Sequence, residues 1–134
     1  MSRHIEYWRW ENEVNPKLCK AMIDLAEDNW STAETETEKQ NTDIRKGKTF
    51  FTSQSYIYDL FFPYMIDANK NADWNFDITS AEACQISKYD YNDHYDFHMD
   101  SIGTWSTTFD CPDNEYLHNK TRKISMTCTL NSDF

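Results

Sequence analysis

Apolar positions along this chain change their spacing several times, and each change marks an element. Residues 5–10 mix apolar and charged side chains in a loose alternation that predicts an opening strand. Asn15 followed by Pro16 is a helix start, because asparagine caps free N–H groups and proline suits the first helical position. Beyond it Leu18, Met22, Leu25 and Ala26 share one side of a helix, with Lys17, Lys20, Asp24 and Glu27 largely elsewhere. That pattern predicts an amphipathic helix of about three turns covering a sheet. Residues 31–43 are rich in Thr and Glu without an apolar period, and predict an exposed, flexible loop.

A short strand is predicted over 49–51, and a helical period returns over 55–72 at Ile57, Leu60, Phe61, Tyr64, Met65 and Ala68. Pro63 falls inside it, so the expectation is a kinked helix or two shorter pieces. Trp74, Phe76 and Ile78 then alternate with Asn75, Asp77 and Thr79, a strand-like pattern. Residues 83–100 read as one long or two short strands, and 124–130 as another, with a polar, flexible excursion over 101–119 between them. This order implies a single α+β domain over 1–134, in which N-terminal helices brace a mainly antiparallel sheet.

The chain's 134 residues and 16.0 kDa suffice for one real core. Aromatic residues make up 16% of it beside a mean hydropathy of -0.86, so bulky rings are buried beneath a wet, charged surface. A formal charge of -10 argues against a nucleic-acid or anionic-membrane partner, either of which calls for a basic patch. The basic clusters Arg45-Lys46-Gly47-Lys48 and Lys120-Thr121-Arg122-Lys123 are large enough only for a small anion. Cys19, Cys84, Cys111 and Cys128 form no CxxC pair and read as reduced thiols. No apolar run approaches the roughly 20 residues of a membrane span, and the expected location is the cytoplasm.

The densest chemistry lies in Asp93-His94-Tyr95-Asp96-Phe97-His98-Met99-Asp100. In an extended strand alternate side chains share a face, so His94, Asp96, His98 and Asp100 would all point one way. Two imidazoles and two carboxylates on one face are costly to bury unless a metal joins them. A His-x-Asp pair suits two ligands of such a site, the third coming from elsewhere. Read alone, the pair is more often a surface feature, and the four residues together could serve a non-catalytic divalent-metal-binding protein.

The chain resembles the Fe(II)- and 2-oxoglutarate-dependent oxygenases of the prolyl 4-hydroxylase (PKHD) type, including small bacterial and phage members. The resemblance runs through Ile44-Arg45-Lys46, the helix that follows, Trp74-Asn75-Phe76-Asp77-Ile78, Gln85-Ile86-Ser87-Lys88-Tyr89, the His98 and Asp100 block, and Arg122-Lys123-Ile124-Ser125-Met126-Thr127-Cys128-Thr129-Leu130. It implies a double-stranded β-helix, or jelly roll, and hydroxylation of a peptidyl prolyl or other side chain, with Fe(II) and 2-oxoglutarate as cofactors and ascorbate as an auxiliary. His98 and Asp100 would be the first two members of a two-histidine, one-carboxylate triad. Tyr89 would make an active-site contact and, with Tyr95, Thr127 and Thr129, line the cosubstrate pocket. Arg122 would meet substrate, Asn92 would replace a turn glycine in left-handed backbone, and His94 matches no ligand position.

The family's second histidine ligand and the basic residue that pairs with the 2-oxoglutarate carboxylate lie well beyond this last block, whereas the sequence stops at Phe134. His118 does not match the distal ligand. The expectation is therefore a C-terminally truncated oxygenase domain, inactive and poorly folded alone: either an incomplete gene product or a fragment whose other half is encoded separately. The alternative within the same fold is a catalytically inactive binding or regulatory remnant.

Overall fold

The computed structural model describes residues 5–34, 43–98, 100 and 108–132. They form a small α+β protein with the order α1 (Pro16–Glu27), β1 (Ser31–Thr32), β2 (Arg45–Lys46), β3 (Lys48–Thr52), α2 (Ser55–Asn71), β4 (Cys84–Lys88) and β5 (His94–Tyr95). The contacts divide it into two compact units. The first draws on residues 5–13, 53–82, 100 and 108–128, the second on 14–34, 43–52, 83–98 and 129–132.

The second unit is built on backbone ladders. β3 lies between β1 and β4, antiparallel to both, with Thr49 opposite Ser31 and Ser87, and β2 pairs with β5 in a separate two-stranded ladder. Among the described residues the strands close no barrel. α1 starts as its sequence predicts: the Asn15 side chain accepts from Lys17 N at 2.9 Å, with Pro16 in the first turn. Its buried stripe is Cys19, Met22 and Ala26, spaced i, i+3, i+7, while Leu18 is exposed. Met22, Ala33 and Ile86 are buried in this unit, and burying Met22 contributes about 2 kcal/mol. Part of the predicted 31–43 loop is thus β1, which Ala33 N continues by donating to Gly47 O at 3.1 Å; residues 35–42 lie outside the described set.

The first unit has one helix and, among its described residues, no strand. α2 runs through Pro63 without a break and buries Ile57, Ala68 and Asn69. The strand predicted at 74–78 is not formed, because Asp73 (φ 59°) and Asn75 (φ 54°) turn the backbone left-handed. Asn69 supplies the missing pairing: its amide accepts from Phe76 N at 3.0 Å and donates to Phe76 O at 2.9 Å. Residues 5–10 are not a strand either. Trp10 instead meets Tyr64 edge-on at 5.2 Å, and Ile5 O accepts from Trp74 Nε1 at 2.5 Å.

The strand predicted over 124–130 is also absent, yet its alternation survives. Ser125, Thr127 and Thr129 are exposed and Ile124, Met126, Cys128 and Leu130 half-buried, as a two-residue period requires. Within the 101–119 excursion, residues 101–107 lie outside the described set. The rest folds back on itself: Phe109 N donates to Lys120 O and Asn119 N to Phe109 O, at 2.8 and 2.9 Å. Among the described residues no helix is long and apolar enough to cross a membrane.

Candidate functional site

Of the predicted site residues, Tyr95 sits on the β2–β5 ladder, where it faces Arg45 and where its neighbour His94 faces Lys46. The turn leading into β5 is held by Asp93, whose Oδ2 accepts from Asp90 N at 2.9 Å and whose main-chain N–H donates to Asp90 O at 2.9 Å. Asn92 takes the left-handed conformation expected of it, at φ 67°. The Asp90 amide, and after it the Lys46 ammonium 3.1 Å away, holds the Asp93 carboxyl below its ordinary pKa.

β5 ends at Tyr95, and with it ends the alternation expected to align His94, Asp96, His98 and Asp100. Chain direction changes at Phe97, and the His98 ring stacks on Tyr95, with centroids 3.6 Å apart and planes 19° from parallel. Residues three apart on an extended strand would lie on opposite faces. His98 Nδ1–H donates to Asp96 O at 2.8 Å, since a carbonyl only accepts. The His94 ring is used differently: its Nε2 donates to Asp43 O at 3.3 Å.

On the same Tyr95 ring lies the Arg45 guanidinium, its carbon 4.4 Å from the centroid. Arg45 is only 8% exposed. Nη1 donates to Glu34 O at 2.9 Å, while Nε and Nη2 are buried without a hydrogen-bond partner among the described residues. Sequence reasoning placed Arg45 in a small basic cluster but not in the site; the cluster itself was the signal. The fold separates its members, burying Arg45 and leaving Lys46 and Lys48 exposed.

The other predicted residues are spread more widely. Tyr89 follows β4 and lays its ring on Gly47, where an added Cβ would come within 3.1 Å of the ring and of Lys88 O. Thr127 and Thr129 are exposed. Asp100 belongs to the first unit and His98 to the second, with Met99 between them outside the described set. Arg122 Nη1 donates to Asp100 O at 2.6 Å, and its Nε and Nη2 grip Glu82 at 2.5 and 2.6 Å. Tyr58 OH in turn donates to Glu82 O at 2.9 Å, so Arg122 ties the Asp100 main chain to α2. His118 Nδ1 accepts from Cys111 N at 3.2 Å inside its own turn.

Among the described residues, no group of three or more His, Cys, Asp or Glu side chains gathers where it could hold a metal ion. His98 and Asp100 are two donors of the right kind for Fe(II), an imidazole and a carboxylate, and two residues of chain span at most about 7 Å. A third protein donor is not supplied by the described residues. Comparisons with protein-family models, curated proteins and solved structures returned no match.

Proposed function

We propose that this chain belongs to an Fe(II)- and 2-oxoglutarate-dependent oxygenase of the prolyl 4-hydroxylase type, with His98 and Asp100 as two of its metal ligands. The observation that carries the reading is the setting of His98. Its Nδ1–H is held by Asp96 O and its ring by Tyr95, and a histidine ligand is commonly oriented by an anchor of this kind on one ring nitrogen. Asp100 follows two residues later, its main chain secured by Arg122. The separate antiparallel ladders are compatible with parts of a double-stranded β-helix, and the third ligand is assigned to a segment or chain outside the described residues.

When bound, Fe(II) with 2-oxoglutarate and dioxygen supplies the oxidising power for hydroxylating a C–H bond. The chain's own contribution is to orient the imidazole, hold the carboxylate two residues away, and present Tyr89 and Tyr95 as aromatic walls able to hydrogen bond through their hydroxyls. Arg122 is a positioning residue in this reading, because all three of its nitrogens bond within the chain. A peptidyl prolyl or other side chain is the proposed substrate class.

The test is metal binding followed by the paramagnetic signal of Mn(II), then anaerobic addition of Fe(II) and 2-oxoglutarate. His98→Ala and Asp100→Ala should each weaken binding by about tenfold or more. Unchanged affinity in the first two variants overturns the reading. A stoichiometric visible charge-transfer band from the unaided chain would place the third ligand within it, with His94 and His118 the first to replace.

A further inference from the structure

The loop over 109–120 is closed by bonds of two kinds. At its base Phe109 N donates to Lys120 O and Asn119 N to Phe109 O, main chain to main chain. One step further in, the acceptor is a side chain: Cys111 N donates to His118 Nδ1, 3.2 Å away. A carbonyl accepts at any pH, whereas an imidazole nitrogen accepts only while it keeps its lone pair. Because a main-chain N–H can only donate, this bond requires His118 to be unprotonated at Nδ1. A proton there removes the acceptor, sets N–H against N–H and strands the part-buried Cys111 amide.

The same nitrogen has a second partner at hand. Asp110 Oδ1 lies 3.9 Å from His118 Nδ1, too far for a hydrogen bond to the neutral ring, on a side chain exposed and free to swing. A proton on Nδ1 turns the ring into a charged donor, for which a carboxylate is the stronger partner. We infer that His118 is a proton-operated latch of the 109–120 loop: neutral, it holds the Cys111 main chain, and protonated, it exchanges that bond for the Asp110 carboxylate. The closed loop thus belongs to the higher-pH side and is lost as pH falls, near neutrality being where imidazoles in general change charge. Among the described residues no carboxylate other than Asp110 ion-pairs with the ring. Asp113 and Glu115 are charges of the same loop, and the Lys120 ammonium is turned to Thr79 Oγ1 at 2.8 Å. The base is held by that bond and by carbonyls, neither of which a proton in this range removes, so the opening is confined to the residues between.

The experiment follows the full chain by nuclear magnetic resonance from roughly pH 8 to pH 5, the range in which histidines titrate. The His118 ring signals give the protonation midpoint, and hydrogen exchange of the Cys111 amide, corrected for its intrinsic pH dependence, reads the latch. Protection of that amide should fall by about fivefold or more with the same midpoint as the ring, while the Phe109 and Asn119 amides keep theirs. His118→Asn supplies an oxygen acceptor that no proton in this range removes, so Cys111 protection should lose its pH dependence. Asp110→Asn takes away the receiving charge and should move the His118 midpoint to lower pH. Cys111 protection that ignores the His118 titration overturns the latch, as does protection that falls identically in the His118→Asn chain. Loss of Phe109 and Asn119 protection at the same midpoint overturns it too, because the chain is then unfolding in acid as a whole. An unmoved midpoint in Asp110→Asn overturns the exchange of partners. If His118→Asn does not fold, the wild-type titration still decides.

Discussion

The two units of this protein are held together by different kinds of bond. In the second, main chain pairs with main chain: β1, β3 and β4 form one ladder and β2 and β5 another. In the first, side chains hold irregular backbone, with Asn69 on Phe76, Tyr58 on Glu82, Trp74 on Ile5 and Arg122 on Asp100. A ladder spreads its stability over many similar bonds, so that a surface side chain can change without loss. A pin concentrates it in one side chain.

The comparison can be broken by mutation, and the largest effects should not distinguish the units. Met22→Ala in α1 and Ile57→Ala in α2 each empty a position 2% exposed, and each should cost about 3 kcal/mol in urea unfolding. Much smaller losses in one unit would mean that its core is looser than the other's. The units should part at the next level. Asn69→Ala strands both polar groups of Phe76 and should cost about 2 kcal/mol, whereas Gln85→Ala on β4 should stay within about 0.5 kcal/mol. Equal costs would erase the distinction. Gly47→Ala probes where the ladders are vulnerable, since its Cβ would press on Lys88 O, which is main chain, and should cost about 1.5 kcal/mol. The smallest effect concerns Asp93, whose folded pKa is depressed. Its contribution should be complete above the unfolded value near 4 and fade as pH falls through the folded one. Asp93→Asn should flatten stability against pH below about 4 relative to wild type, and an unchanged curve would remove the turn carboxylate from the account.

The same contrast explains what the sequence could and could not reveal. α1 was legible from Asn15-Pro16 and α2 from its helical period, because capping and periodicity are local properties. β3 was expected over 49–51 and extends by one residue at each end. β2 was missed: two residues hold no period, and Arg45 and Lys46 look like solvent-facing charge. Residues 74–78 alternate convincingly, yet two left-handed residues and an amide seven positions away decide their path. At the candidate site, the left-handed Asn92 was readable from residue type. The stacking of His98 on Tyr95 was not, because it follows from the chain leaving the strand after Tyr95. The buried guanidinium edge also depends on long-range packing, here with Glu34 eleven residues earlier.

The aromatic ring between these groups also acts as a clock. A tyrosine ring can rotate by half a turn about its own axis only if the atoms lying flat against it draw back, and Tyr95 carries an imidazole at 3.6 Å and a guanidinium at 4.4 Å. Its two edges should therefore give separate proton resonances that merge only on warming, unlike the exposed ring of Tyr91. The merging temperature measures how often the stack loosens. The rotation rate thus reports on local breathing at the site without any reaction having to occur.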